Sequence, residues 1–175
     1  MPDTAQPVLP RPVTDAQLAK LLTAPEPLRT AFVLAAYAGL RRAEIARSRR
    51  EHVTQDVLVV PVAKGGDAQA LPTHPIVWAH VQHLPAGPLV ADRDGSPLTL
   101  MALSKRVDYW TLRNGLHHVT LHRLRHWYGS TIQRLYGDIR VTQELLRHAS
   151  VATTQIYTAV ASTAKRAAIG QLPRV

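Results

Sequence analysis

The sequence contains no cysteine. That excludes a disulfide framework, a thiolate zinc site and a thiol nucleophile together. Acidic residues are scarce: 12 Asp and Glu stand against 21 Lys and Arg, a formal net charge of +9. Such a balance favours a polyanionic partner, because each phosphate neutralised releases a condensed counterion. Long apolar runs are missing too. The longest, Ala31 to Leu40, is too short to cross a bilayer and reads as a buried helix. Met1 to Pro12 holds no hydrophobic signal core, and no basic amphipathic helix carries a Trp/Phe face. The expected setting is the cytoplasm, or the nucleoid of a host cell, with no membrane partner. Internal repeats are also absent.

What is present suits one packed domain: 175 residues, of which 46% are hydrophobic. Met1 to Val13 is rich in proline and reads as a linker or arm, leaving 14–175 as the domain. Thr14 caps a first helix, with Gln17 completing a capping box. A second helix runs from about Pro27 to Ala38 and stops at Gly39. A short third one starts near Arg41. The pattern then turns β-branched over Val57 to Val62. Ala68 to Thr73 can pair with it across a Lys64-Gly65-Gly66-Asp67 turn. His52 to Thr54 is expected to add a short third strand. Helices resume over Pro75 to Leu84, and again from Thr99 to Asn114 before the stop at Gly115. His122 to Tyr136 is the clearest amphipathic helix, with Leu124, Tyr128, Thr131, Ile132 and Leu135 on one stripe. Further helices are expected over Ile139–Arg147, Val151–Val160 and Ser162–Gly170. The expected fold class is therefore mainly α with a small antiparallel β-sheet.

Several residues could carry chemistry. His122 and Arg125 are three apart and share one edge of their helix, beside the apolar stripe. Gly129 lies one turn further on, where it would let a ligand approach. An arginine offers a fixed fork of donors and a histidine can give or take a proton, a pairing that suits a phosphate. An exposed basic helix face is the plainer reading of that pair alone. His122 and His126 have metal-ligand spacing, but Arg123 stands where a metalloprotease needs Glu, and no acidic third ligand is near. No metal and no cofactor is expected. Lys64 lacks the flanking residues of a nucleotide loop; it is either a solvated hairpin tip or a mobile lysine delivered into a groove. Arg41 opens a helix whose N-terminus favours an anion, with Glu44 one turn on. As a mere surface pair these two would contribute only ~0.3 kcal/mol. Tyr157 follows His148 across a turn near Ser150, and a lone tyrosine is usually core or interface.

Together these residues are far more specific. Gly39-Leu40-Arg41-Arg42-Ala43-Glu44-Ile45 resembles the first signature of the tyrosine recombinases of the phage-integrase type. His122-Arg123-Leu124-Arg125-His126 is similar to their His-x-x-Arg box. Leu145-Leu146-Arg147-His148-Ala149-Ser150, with Thr153-Thr154-Gln155-Ile156-Tyr157, is similar to their third box and nucleophile segment. Lys64 falls in the hairpin turn where that family keeps a lysine. Order and spacing agree from about Thr14 to Pro173. Three positions depart from the pattern. Arg147 stands where a glycine usually precedes the histidine, Arg123 where an acidic residue is common, and Ser48 where an apolar one is usual.

The resemblance implies the fold of a tyrosine-recombinase catalytic domain, without the family's separate N-terminal DNA-binding domain. It implies a site-specific recombinase acting on double-stranded DNA through a 3′-phosphotyrosine. Tyr157 would be the nucleophile, Arg41, Arg125 and His148 the phosphate ligands, Lys64 the general acid, His122 a proton relay, and Glu44 a support. It also implies self-association on DNA, a tetramer in the synapse and a monomer when free. The expected roles are phage or mobile-element integration and excision. A non-catalytic DNA-binding regulator would require loss of Tyr157 or an arginine, and none is lost. A type IB topoisomerase-like nicking-closing enzyme shares the residue set and is not separated by it.

Overall fold

The structure is a computed structural model that describes residues 13–61, 68–147 and 159–173, with backbone alone over 159–163. It is mainly helical with one two-stranded antiparallel sheet, as the sequence predicts. Helix α1 (Asp15–Leu21) begins with the expected capping box: the Gln17 N–H donates to Thr14 Oγ1 (3.2 Å) and the Thr14 N–H to Gln17 Oε1 (3.0 Å). Val13, just before it, is already part of the core.

Helix α2 (Leu28–Tyr37) buries all but one of its residues, Arg29 being the exception. It is the central strut, and α3 (Arg42–Arg47), α4 (Pro75–Val81), α5 (Leu100–Arg113) and α6 (Leu121–Tyr136) all pack on it. Strand β1 (Val57–Val60) pairs with β2 (Gln69–Pro72) in the register Leu58↔Leu71 and Val59↔Ala70. Leu58, Val60 and Leu71 face the core, while Val59 and Ala70 face out. The expected hairpin turn around Lys64 lies outside the described residues. The third strand expected at His52 to Thr54 does not form. Arg50–His52 is a single 3₁₀ turn, and only Val53 makes an isolated bridge, to Leu58.

Thr120 caps α6 by accepting from the Arg123 N–H, and Gly137 ends the helix in the left-handed region. Leu124, Tyr128, Thr131 and Ile132 are buried as expected, but Leu135 is 41% exposed. No residue from Arg134 to Gly137 is buried, so the last turn runs past the core. Helix α7 (Ile139–Leu146) follows, and α8 (Ala159–Gly170) returns to pack on α6, α7 and β2. Among its described side chains Ala168 and Ile169 are buried, with Leu172 just beyond. Of its other small side chains, Ala167 is exposed and Ala164 half-buried. Polar ties fix this segment to its own domain: Lys165 to Glu144 (3.1 Å), Arg166 to Asp56 (2.9 Å), and the Tyr37 hydroxyl donating to the Pro173 carbonyl (3.1 Å).

Gly39 links α2 to the residues of interest. It has φ +59°, and a Cβ there would stand 2.5 Å from Tyr128 Cδ1. The Tyr128 ring is fully buried and cannot yield. Gly39→Ala is therefore expected to cost about 2–5 kcal/mol, combining ~1–2 kcal/mol for the left-handed backbone with ~1–3 kcal/mol for overpacking. Urea denaturation measures this directly; a loss below about 1 kcal/mol would mean that the ring and the turn are softer than the contact indicates.

A convergent arginine cluster as the candidate functional site

Arg41 is the N-cap of α3. Glu44 folds back on it, accepting from the Arg41 N–H at Oε2 (2.6 Å) and from Nη1 at Oε1 (3.0 Å). This is more than the isolated surface pair that spacing alone predicts, because the Glu44 side chain is only 13% exposed and takes a second cation. That cation is Arg147, whose Nη2 donates to Glu44 Oε2 at 2.7 Å.

The second anchor is the C-terminal end of α7. The last carbonyls of a helix have no partner within it, and the helix dipole makes that end negative. Here three arginines supply the donors. Arg125 donates to the Leu146 carbonyl, Arg147 Nη1 to Leu145 (3.1 Å), and Arg41 Nη2 to Arg147 itself (3.0 Å). Arg125 and Arg147 also both donate to the Gly39 carbonyl. The left-handed turns at Gly39 and Arg147 thus bring two distant backbone segments to one place, with guanidinium groups as the staples.

Arg125 is only 6% exposed on its side chain, although the sequence places it beside the apolar stripe. The buried arc of α6 is wider than the stripe because the end of α7 packs over it. Gly129 lies under the same contact: a Cβ there would meet Leu146 Cδ1 at 2.7 Å, and the glycine also lines the cavity beside Arg125. The glycine therefore serves helix–helix approach as well. An open cavity of about 450 Å³ adjoins, lined by His122, Arg125, His126, Ser130 and Leu146 among others. Arg41 does not line it and reaches solvent, 45% exposed.

His122 is exposed, and its Nε2 lies 2.9 Å from Nε2 of His126 with the rings nearly perpendicular. One ring must present a lone pair to the other's N–H, so the contact fixes complementary tautomers. Of the departures in the motifs, Ser48 is accommodated: it is buried, and its hydroxyl donates to the Glu44 carbonyl (2.8 Å). Arg123 reaches back to the His118 carbonyl (3.0 Å). Lys64, His148 and Tyr157 lie outside the described residues.

Three arginines around one carboxylate shape the local electrostatics. Burial opposes the Glu44 charge, but Arg147 and the Arg41 N–H hold its carboxyl below the ordinary range. Burial, with repulsion from Arg147 and Arg41, lowers Arg125 to about 10. Burial pushes the Tyr128 phenol up, so that ring stays neutral beside the cluster. The site is therefore short of negative charge and suited to an oxyanion.

The Glu44 shift has a definite sign. A carboxylate whose pKa is depressed by folding contributes stability that is complete above its unfolded value of about 4.3. That contribution is lost as pH falls through the lower folded value. Glu44→Gln is thus expected to flatten the acid limb of the stability curve below pH of about 4.3, relative to the parent chain. Thermal unfolding across a pH series checks this, and parallel curves for the two proteins would contradict it.

The family model for the phage integrase family matches residues 12–164. Tyrosine recombinase XerC of Actinobacillus succinogenes is 33% identical over 168 residues, covering 86% of this chain and 57% of that protein. Tyrosine recombinase XerA of Pyrococcus horikoshii is 30% identical over 178 residues, covering 92% of this chain and 61% of that one. The solved integrase from mycobacterium phage Brujita superposes with a TM-score of 0.79 at 31% identity, over 94% of this chain and 58% of its own. The chain thus spans roughly three-fifths of the length of these relatives. With its two signature arginines brought to one cluster and the family match running through nearly all of its length, the chain belongs to the phage integrase family of tyrosine recombinases.

Proposed function

We propose that this domain breaks and rejoins double-stranded DNA as the catalytic part of a site-specific recombinase. The observation that carries the reading is the meeting of Arg41 and Arg125, from separate elements, at one electropositive cluster. In the proposed first step Tyr157 Oη attacks the scissile phosphorus and the bond to the 5′-oxygen breaks. A 3′-phosphotyrosyl link and a free 5′-hydroxyl result. In the second step a 5′-hydroxyl of a partner strand attacks the same phosphorus and expels the tyrosine. One phosphoester forms for each that breaks, so no external energy source is needed.

The transition state spreads negative charge over the non-bridging oxygens. Arg41 and Arg125 would hold them, with His148 adding a hydrogen bond. His122 would take the tyrosine proton, and Lys64 would protonate the leaving 5′-oxygen. The roles of Lys64, His148 and Tyr157 rest on the sequence resemblance. So do assembly into a tetramer on DNA from a free monomer and a part in phage or mobile-element integration, while action in the cytoplasm is the expectation from composition. Among the described residues no helix is long and apolar enough to cross a membrane, and no group of three metal-ligating side chains comes together.

The test is incubation with a pool of nicked suicide duplexes of varied core sequence, in EDTA. A denaturant-resistant protein–DNA band is expected, because the residue set supplies its own cations. No band on any duplex would sink the strand-cleavage reading. A band that needs added Mg²⁺ would overturn the metal-free mechanism.

A further inference from the structure

We infer that Arg147 is a positioning residue of the phosphate site, which neutralises Glu44 and so leaves Arg41 free to engage a DNA phosphate. The inference rests on the phosphate reading of the cluster given above.

The backbone supplies the first reason. Arg147 ends α7 at φ 52°, ψ 47°, a left-handed conformation that favours glycine at helix ends. An arginine there carries strain that glycine would not, so its side chain must do something in exchange. That side chain is charged yet only 4% exposed, and burying a cation is costly unless it is paired. It reaches Glu44 Oε2 at 2.7 Å and the Gly39 and Leu145 carbonyls at 3.1 Å. Among the described residues its Nε finds no acceptor, and its partners are those of the site itself.

Charge distribution supplies the second reason. Glu44 pairs with Arg41 from outside and with Arg147 from inside. If Arg147 were absent, Glu44 would keep only the more distant Arg125 (4.0 Å) besides Arg41, and would hold Arg41 more tightly against its own helix. With Arg147 present, the buried cation takes that charge, and the half-exposed Arg41 is the one able to leave. Counting Arg41, Arg125 and Arg147 against Glu44, the cluster carries two net positive charges. A phosphodiester gathers about that much negative charge on its non-bridging oxygens as a nucleophile adds to it.

The test uses Arg147→Gly, Arg147→Lys and the double variant Arg147→Gly with Glu44→Gln. Glycine suits the left-handed backbone, so thermal unfolding should show a folded domain, and any loss is not collapse. Inorganic phosphate is titrated into each protein while the ¹⁵N resonance of Arg41 Nε is followed. Arg147→Gly is expected to weaken phosphate binding about tenfold, corresponding to ~1.4 kcal/mol. Arg147→Lys should retain most of the affinity. Removing the Glu44 charge from the glycine variant should restore it, a rescue that a purely structural role does not predict. If Arg147→Gly binds like the parent chain, or if the double variant binds no better than the single one, the inference is wrong. If the parent chain does not bind phosphate at Arg41, the phosphate reading falls and this inference with it. If the phosphate pattern holds but the parent chain makes no DNA adduct, only the strand-cleavage reading falls.

Discussion

Tyr157→Phe is expected to abolish covalent capture of DNA while leaving the fold and non-covalent DNA binding intact. The substitution removes one hydroxyl and keeps the ring. Phosphoryl transfer needs a nucleophile that can remain bonded to phosphorus, and a phenyl ring cannot form that ester. The effect should therefore be a loss of adduct below detection rather than a graded fall. Gel shift and thermal unfolding serve as controls. A phenylalanine variant that still yields a denaturant-resistant band would place the nucleophile elsewhere in the chain.

The second large effect is expected at Arg125. Arg125→Ala should slow adduct formation about 10²–10³-fold, the scale of removing one preorganised donor from a developing oxyanion. It should also destabilise the domain, because the Gly39 carbonyl and the Leu146 carbonyl lose a donor in a buried place. A cost of about 1–3 kcal/mol is expected for groups left in that state. Arg125→Lys separates the two contributions. Lysine keeps the charge but is a point donor, unable to span two carbonyls and face a phosphate with a rigid fork. It should remain at least about tenfold slow, since a misplaced donor forfeits much of the electrostatic gain. Single-turnover rates on nicked DNA, paired with unfolding curves, measure both. A lysine variant as fast as the parent chain would show that charge alone suffices and that the fork is incidental.

Local signals were readable from the sequence because their causes are local. The Thr14–Gln17 box and the stop at Gly115 both act within one turn of helix. The pairing of Arg41 with Glu44 is of this kind as well. What spacing could not reveal came from contacts distant in sequence. Arg125 reads as an edge residue on a helical projection and becomes buried only because α7 closes over it. Gly129 reads as an opening for a ligand; it does line the cavity, but only the structure shows that it also lets Leu146 approach. Arg147 reads as a flaw in a motif, yet the structure makes it a member of the cluster. The one sequence signal for it was the residue type itself, a charged side chain at a helix end where a left-handed turn is required. His52 to Thr54 reads as strand by composition, but the preceding Arg50–His52 turn leaves only Val53 in position to bridge.

The seat occupied by Ile169, Leu172 and the Pro173 carbonyl has a consequence for how copies of this chain could combine. Its walls are fixed parts of the domain, including Tyr37, which stands two residues before Gly39. An identical tail from a second molecule would refill the same seat with the same contacts. Exchange would change which chain owns the segment while conserving the apolar area buried and the Tyr37 hydrogen bond. Such a swap is nearly neutral in contact energy. Its equilibrium would be governed by effective concentration, which bringing molecules together on one DNA raises far above its value in dilute solution. Substitutions in the seat, such as Leu172→Ala, would then weaken the free molecule and the exchanged assembly by similar amounts. Tail ownership would respond to protomer spacing rather than to the strength of the seat.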